Sequence, residues 1–198
     1  LGLQVKPSER LVNLVLTYLA QSFDAGVPLP ESVRAYAFLA LGKMCLRDVT
    51  LAKKVLTLLA RELHHNMSKG SPTIQSNVLL ILGDLCIKYT SLADRYLPAM
   101  AACLQSGAAN ISIDALGAES VEGYEVVRRS AVILLSSLIM QDYIKWRGLL
   151  FHRFLVAACD DDEAVAELAE NTLSGPLLIK TPKLFFNHFV ESFFVLNR

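Results

Sequence analysis

Four stretches decide the fold of this chain: VRAYAFLALG (residues 33–42), IQSNVLLILG (74–83), VRRSAVILLS (127–136) and VAELAENTLS (165–174). Each opens a helical pattern and carries a small residue nine positions after its first residue. The first residues lie at 33, 74, 127 and 165, so the steps are 41, 53 and 38. A period near 40 built from paired amphipathic helices is typical of HEAT and armadillo-like repeats. The pattern therefore predicts an all-α fold, a HEAT or armadillo-like α-solenoid superhelix of about nine helices.

Helical periodicity and breaker residues set the expected organisation along the chain. Helices are predicted over residues 8–25, 32–47, 51–65, 71–89, 91–104, 124–140, 143–159, 162–180 and from 181 onward. Gly175-Pro176 is expected to kink the eighth helix. Residues 105–123 lack periodicity and are predicted to form an inserted loop, which accounts for the 53-residue step. We expect residues 1–198 to be a single solenoid segment of a longer chain.

Small residues in the middle of the predicted helices have a packing role in this interpretation. Gly42 and Gly83 each destabilise a helix by roughly 1 kcal/mol relative to alanine. A close approach of paired backbones is the expected reason for glycine at these positions. In the second predicted helix, one face is expected to hold the following residues: Val33, Tyr36, Ala37, Ala40, Leu41 and Met44. Arg34 and Arg128 follow the apolar openers and are expected to reach an adjacent turn or repeat.

Composition excludes several classes of protein. Hydrophobic residues make up 53% of the chain, yet no apolar run approaches the roughly 18 residues that span a bilayer. The formal net charge is zero, so no overall field attracts nucleic acid or an acidic surface. The start of the sequence has no signal-peptide pattern, and Leu1 suggests an excised piece. Four cysteines on apolar helical patterns, without a C-x-x-C pair, indicate core residues in a reducing compartment.

Motifs that carry catalysis or bind cofactors do not occur in the sequence. The four histidines form no H-E-x-x-H, and no phosphate-binding loop, dinucleotide fingerprint or nucleophile elbow occurs. The acidic run at 160–163 is interpreted as a solvated helix entry, since no second acidic cluster supports metal or acid–base chemistry. We therefore expect no catalytic site, no metal, no cofactor and no small-molecule substrate.

A modest basic cluster is the candidate surface for a partner or for DNA. It comprises Arg128, Arg129, Lys145, Trp146, Arg147 and Arg153. Solenoid turns can align basic side chains along a groove that contacts phosphates. For Trp146, the only tryptophan, the alternative is a structural role as a core or inter-repeat anchor.

Two serine/threonine-proline pairs are candidate phosphorylation sites. They are Ser71, followed by Pro72, and Thr181, followed by Pro182. The alternative is structural, because a capping hydroxyl followed by proline at the first helical position is a common helix start.

Several segments resemble one family. LGKMCL (41–46), LAKK (51–54), GDLCIKYT (83–90) and YIKWRGLLFHRF (143–154) resemble the HEAT domain of the D-type non-SMC subunit of condensin. The resemblance is closer to condensin II than to condensin I, runs in order over residues 31–197, and includes FFNHF (185–189) near its end. The block 143–154 is the most specific piece. Residues 105–123 depart from the family, where a short turn is expected.

The resemblance implies a regulatory scaffold without catalytic activity, located in the nucleus on chromosomes. It implies that the chain binds the kleisin and SMC subunits and helps the complex engage DNA or chromatin during mitotic chromosome condensation. Two alternatives remain open on the residues alone. A transport- or adaptor-type solenoid would bind peptide segments, and a direct nucleic-acid binder would lose affinity with salt.

Overall fold

The computed structural model describes residues 6–24, 30–65, 70–107 and 123–196. Over these ranges the chain is helical and contains no strand. The helices are α1 (Glu9–Asp24), α2 (Glu31–Cys45), α3 (Val49–His65), α4 (Pro72–Lys88), α5 (Thr90–Ala93), α6 (Leu97–Ala102), α7 (Tyr124–Met140), α8 (Gly148–Ala157), α9 (Glu163–Thr172), α10 (Leu178–Lys180) and α11 (Leu184–Leu196). Because 3-10 turns join α5 to α6 and a π-helical segment joins α9 to α10, the described ranges hold nine helical stretches. The all-α prediction is confirmed.

Two compact units divide the chain, residues Leu1–Asp94 and Arg95–Arg198. In the first unit α2 packs against α1, α3 and α4, and α3 packs against α4. In the second unit α7 packs against α9, α8 packs on α6 and on the 3-10 segment Cys103–Gln105, and α11 packs on α8. Each unit has its own apolar core. Phe38 and Leu59 are fully buried in the first, as are Val127 and Phe154 in the second.

The contact between α2 and α4 explains the glycine near the end of α2. A Cβ atom on Gly42 would lie 2.6 Å from Cγ1 and 2.9 Å from Cγ2 of Ile81 on α4, closer than real Cβ atoms approach. The absence of that Cβ allows the two helices to meet here. The interpretation of Gly42 as a residue of close backbone approach is therefore confirmed.

Helix starts in the sequence match local capping chemistry. The Ser71 hydroxyl accepts a hydrogen bond from the Ile74 amide at 3.2 Å, and Pro72 occupies the first helical position of α4. The Asp162 carboxylate does the same for α9, accepting from the Val165 amide at 2.9 Å. Such side-chain acceptors satisfy amides that have no partner within the helix. These boundaries were predictable because their causes lie within three residues.

The buried face of α2 differs from the prediction. Its buried residues are Ala35, Phe38, Leu41, Gly42, Met44 and Cys45. Val33 is 43% exposed and Tyr36 is 72% exposed, so the face assigned to them was wrong. Apolar residues surround most of this helix, so periodicity alone could not choose the face that packs on α4.

The predicted helix over 143–159 begins five residues late. Asp142 has a φ of 61° and ends the turn after α7, and the amides of Tyr143 and Ile144 donate to the Leu138 carbonyl. Residues 143–147 are not helical, and α8 begins at Gly148. Farther along, Pro176 lies in the π-helical segment Leu173–Leu177, after which the helix continues to Lys180. A π-helical turn accommodates a residue that has no amide proton to donate.

Hydrogen bonds reproduce the repeat period in three dimensions. Five side chains bond to residues 40 to 43 positions earlier: Ser71 to Glu31, Asn77 to Ala35, Tyr89 to Leu46, Lys180 to Ile139 and Met140, and Ser192 to His152. Successive helix pairs are therefore tied by polar contacts as well as by apolar packing. Most of the predicted insertion at 105–123 lies outside the described residues.

Candidate partner and DNA surface

Arg128 on α7 lies in a buried ion pair. Its Nε is 2.7 Å from Asp160 Oδ2, and its Nη2 donates to Asp160 Oδ1 at 2.9 Å. The side chains are 11% and 8% exposed, and Nη1 also donates to the Ser106 carbonyl at 2.8 Å. As expected, Arg128 reaches adjacent segments, and the structure uses it to tie α7 to the turn before α9. Asp160 is buried, so the interpretation of the whole acidic run as solvated was wrong.

Arg129, the next residue, is more accessible. Its Nη2 lies 3.4 Å from Asp162 Oδ1, and its side chain is 43% exposed. Asp162 also caps α9, so its carboxylate is shared between the helix amides and Arg129. An exposed pair of this length is weak, and a phosphate or a partner carboxylate can compete for Arg129.

Lys145, Trp146 and Arg147 lie in the non-helical segment before α8. Burial alternates along it, since Ile144 is 4% exposed, Lys145 and Arg147 are exposed, and Trp146 lies between these extremes. Arg147 has extended backbone angles, with φ −137° and ψ 154°. The Lys145 and Arg147 side chains are both exposed to solvent. The sequence interpretation of this segment as a helix was wrong.

Trp146 packs into the core of the second unit. Its ring centroid is 6.3 Å from that of Phe151 in an edge-to-face arrangement and 5.9 Å from that of Phe154. This geometry agrees with the structural alternative, in which Trp146 is an anchor. A role for its exposed edge in binding stays a prediction.

Arg153 on α8 is only partly accessible, and burial lowers the pKa of its guanidinium. Desolvation acts in this direction because it disfavours the charged form. Of the six residues predicted for the surface, Lys145 and Arg147 are therefore the most exposed, followed by Arg129. Their role in binding stays a prediction.

The two candidate phosphorylation sites occupy structural positions. The Ser71 hydroxyl caps α4 and donates to the Glu31 carboxylate at the start of α2. The Thr181 amide donates to the Leu177 carbonyl, and its own carbonyl accepts from the Leu184 amide, so Thr181 joins α10 to α11. Phosphorylation of either residue stays a prediction.

Among the described residues no group of three His, Cys, Asp or Glu side chains is placed to hold a metal ion. Cys45, Cys86 and Cys103 are buried, whereas Cys159 is exposed after α8. Burial, with a smaller contribution from Asp48, raises the pKa of the Cys45 thiol to about 12. The first three cysteines fit the predicted core role, and Cys159 does not.

An apolar ridge on α7 was missed by the sequence interpretation. We define it as Val126, Ile133 and Met140, which are 53%, 58% and 40% exposed and are the only exposed residues of α7. Their spacing of seven places them along one side of the helix. Leu80 and Ile87 on α4, 53 residues before Ile133 and Met140, are also exposed. The solvent-facing side of a helix is normally polar. The seven-residue spacing of Val126, Ile133 and Met140 was therefore the sequence signal that could have revealed the ridge.

No helix in the described ranges is both long and apolar enough to cross a bilayer.

Comparison with known proteins identifies the family. The family model described as "Condensin-2 complex subunit D3-like. HEAT repeats" matches residues 4–63. The Xenopus laevis protein "Condensin-2 complex subunit D3-L" is 35% identical over 172 residues, 87% of this chain and 10% of the relative. The chain belongs to the D-type HEAT-repeat subunits of condensin II. The family places the all-α fold among the HEAT-repeat α-solenoids, as the sequence pattern and the resemblance predicted.

Two further relatives are a plant condensin-2 subunit and a human condensin subunit. The Arabidopsis thaliana protein "Condensin-2 complex subunit CAP-D3" is 36% identical over 161 residues, 81% of this chain and 11% of the relative. The human protein "Condensin complex subunit 1" is 29% identical over 148 residues, 75% of this chain and 9% of the relative. This chain spans about a tenth of the length of the relatives it matches. No solved structure matches it.

Proposed function

We propose that this chain is a non-catalytic scaffold segment of a condensin complex, acting on chromosomes in the nucleus. In this proposal it binds kleisin and SMC subunits and supports the engagement of DNA during mitotic chromosome condensation. Membership of the D3 family supports the assignment to condensin. The observation that supports a binding role is the apolar ridge, because the three residues of α7 with the largest exposed fractions are all apolar.

The ridge has the form of a docking seam for a partner helix. Val126, Ile133 and Met140 supply apolar side chains two turns apart along about four turns of α7, and Ser130 and Ser137 lie between them along the helix. Large side chains that alternate with small ones permit a second helix to approach closely. We assign a helical segment of the kleisin chain to this seam.

The proposed DNA contact is separate from the ridge. Lys145 and Arg147 are exposed in the non-helical segment before α8, and Arg129 is held only by a 3.4 Å pair. Three such charges can neutralise phosphates without conferring sequence preference. This accords with a scaffold that supports DNA engagement by a larger complex.

The kleisin proposal is tested in the assembled complex with Ile133→Asp. A buried carboxylate without a partner is costly in an apolar seam, so kleisin capture is expected to fall at least about tenfold. Val33→Asp is the matched control, since Val33 is 43% exposed on α2. Unchanged capture of kleisin by a folded Ile133→Asp variant overturns the assignment of the ridge.

The DNA proposal is tested by salt dependence. Replacing Lys145 and Arg147 together by Gln is expected to reduce the slope of log affinity against log salt by roughly 1.8, because each phosphate contact contributes about 0.9. Lys53→Gln with Lys54→Gln on α3 removes the same charge from two other exposed positions. Equal slopes for both double variants contradict a specific role for the segment before α8.

A further inference from the structure

A cluster of polar side chains lies at the contact between α8 and α11. Apolar contacts accompany it, since Leu184 is 1% exposed and the Phe185 ring meets the Phe151 ring edge to face with centroids 5.5 Å apart. We call the polar group the His152 cluster, and its members are His152 on α8 and His188, Glu191 and Ser192 on α11. Only Glu191 of these four is exposed.

The Glu191 carboxylate faces one nitrogen of each imidazole ring. Its Oε1 lies 3.6 Å from His152 Nε2, and its Oε2 lies 3.5 Å from His188 Nδ1. Both nitrogens are buried, and neither has a hydrogen-bond partner in the part of the chain that the structure describes. Buried polar atoms normally have such a partner. The two rings are therefore placed beside a carboxylate without being bonded to it.

The position of the hydrogen on neutral His152 follows from Ser192. The Ser192 hydroxyl has one hydrogen, which it donates to the His188 carbonyl at 2.7 Å. Its Oγ lies 3.4 Å from His152 Nδ1 and is left to accept from that nitrogen. A neutral imidazole carries one hydrogen, so Nε2 of neutral His152 is an acceptor. It faces an ionised carboxylate, which is an acceptor as well.

The place of the Glu191 carboxylate depends on Gly148 at the start of α8. A Cβ atom on Gly148 would lie 2.8 Å from Glu191 Oε2 and 3.1 Å from Oε1. The glycine therefore leaves the space that the carboxylate occupies. A carboxylate at the first turn of a helix is also favoured by the helix dipole. Both effects keep a negative charge next to His152.

Other titratable groups near α8 were compared with Glu191 as partners of His152. The segments packed against α8 are α6, α9, α11 and Cys103–Gln105. Helix α6 has no titratable side chain, and the Cys103 thiol donates to the Ala99 carbonyl at 3.7 Å. The remaining groups are His188 and Glu191 on α11, Arg153 on α8 itself, and the exposed glutamates of α9, which are Glu163, Glu167 and Glu170. Of these described groups only Glu191 lies within ion-pair distance of His152.

We propose that His152 is a proton-controlled latch between α8 and α11. When Nε2 takes a proton from solvent, the two facing acceptors become a charged donor and a carboxylate, and His152 can bond to Glu191. A charged His188 adds a second pair with the same carboxylate and a cation over the Phe151 ring, on which it stacks with centroids 5.1 Å apart. Histidine changes charge between about pH 5 and 8. The contact between α8 and α11 is therefore tighter at the acidic end of that range.

The test is amide hydrogen exchange of α11 in the complete polypeptide, followed by mass spectrometry at about pH 5.5 and about pH 7.5. At each pH, exchange in a variant is divided by exchange in the unaltered polypeptide, which removes the intrinsic effect of pH. Glu191→Gln is expected to raise exchange in α11 about threefold at the lower pH, as loss of a partly exposed ion pair does, and to change it little at the higher pH.

A second variant moves the carboxylate without removing its charge. The Cβ atom of Gly148→Ala displaces the flexible end of Glu191, so the same increase in exchange at the lower pH is expected. Glu167→Gln is the matched control, because it removes one exposed carboxylate from α9, which also packs on α8. This control is expected to leave exchange in α11 unchanged at both pH values.

Three results overturn the latch. Equal increases at the two pH values assign the effect of Glu191 to packing or to the helix dipole. An increase confined to the higher pH shows that the charged form of His152 loosens the contact. Unchanged exchange in both Glu191→Gln and Gly148→Ala shows that the carboxylate does not hold α11 on α8.

Discussion

Both units tie their helix pairs by polar contacts, and they differ at the repeat position that Gly42 holds in the first. In the first, α2 meets α4 where Gly42 has no Cβ and Ile81 takes the space. In the second, Ser136 holds the equivalent position and bonds to the Ile133 carbonyl of its own helix, so it makes no such opening. The ties there are polar, from Arg128 to Asp160 and from Lys180 to the end of α7. The position of Gly42 in the first unit is therefore expected to be sensitive to side-chain volume, whereas the equivalent position in the second unit, Ser136, is not.

The largest expected effect is from Arg128→Met. This change leaves the buried Asp160 carboxylate without its partner, and breaking a buried pair in this way costs about 3–5 kcal/mol of unfolding free energy. Urea unfolding followed by circular dichroism gives the value. Arg129→Met, which removes a 3.4 Å pair with a 43% exposed side chain, is expected to cost no more than about 1 kcal/mol. Equal losses of unfolding free energy in Arg128→Met and Arg129→Met contradict a special stabilising role for the buried ion pair.

Gly42→Val is expected to destabilise the first unit by about 1–3 kcal/mol, because the added atoms overlap the branched carbons of Ile81. Thermal and urea unfolding measure it, and adding Ile81→Ala is expected to recover part of the loss. Gly175→Ala is the control, since a Cβ there meets nothing within 4 Å. If Gly175→Ala costs as much as Gly42→Val, volume is not the cause.

Lys180→Met is expected to cost about 1–2 kcal/mol. The ammonium group donates to the Ile139 carbonyl at 2.6 Å and to the Met140 carbonyl at 2.9 Å, and the Ile139 carbonyl also accepts from the Asp142 amide at 3.1 Å. The group also pairs with Asp142, whose side chain is 82% exposed. Asp142→Asn is therefore expected to change unfolding free energy by less than about 1 kcal/mol. A larger effect of Asp142→Asn places the stabilisation in the surface pair instead.

The smallest effect is a pH dependence at the start of α3. Hydrogen bonds from the Thr50 hydroxyl and amide, and from the Leu51 amide, hold the pKa of Asp48 below its ordinary value of 3.8. The stability contribution is therefore present above that value and is lost as pH falls through the lowered pKa. Melting temperatures of the chain and of Asp48→Asn are expected to differ at pH 6 and to converge in acid.

Asp84 on α4 supplies a control of opposite sign. Partial burial raises its pKa, so its charged form opposes folding at neutral pH. Asp84→Asn is expected to raise the melting temperature at pH 7 and to lose that advantage in acid. A fall in melting temperature for both variants at pH 7 contradicts the local electrostatic account.

Features with local causes were predictable from the sequence. The start of α4 follows from Ser71 and Pro72, and the limits of α7 follow from periodicity between Tyr124 and Met140. The face of α2 was not predictable, because apolar residues surround it and only the position of α4 decides which are buried. Tyr36, at 72% exposure, shows the size of that error.

The candidate surface was predictable in composition but not in geometry. The sequence shows the basic residues, yet the partner of Arg128 is Asp160, 32 positions away and beyond any local rule. Lys145 and Arg147 lie in a non-helical segment, whereas the sequence pattern favoured a helix. The partner of Arg128 depends on a long-range ion pair, and the non-helical segment before α8 follows the left-handed backbone of Asp142. Neither cause is visible in the local sequence.

The bonds that join residues 40 to 43 positions apart also bear on synthesis of the chain. Each helix pair can complete its ties once about forty further residues have left the ribosome. At about 5–20 residues per second this wait is roughly 2–8 s. During this wait the most recently made helix pair has an uncovered apolar side. Chaperones can bind that side until the next pair covers it.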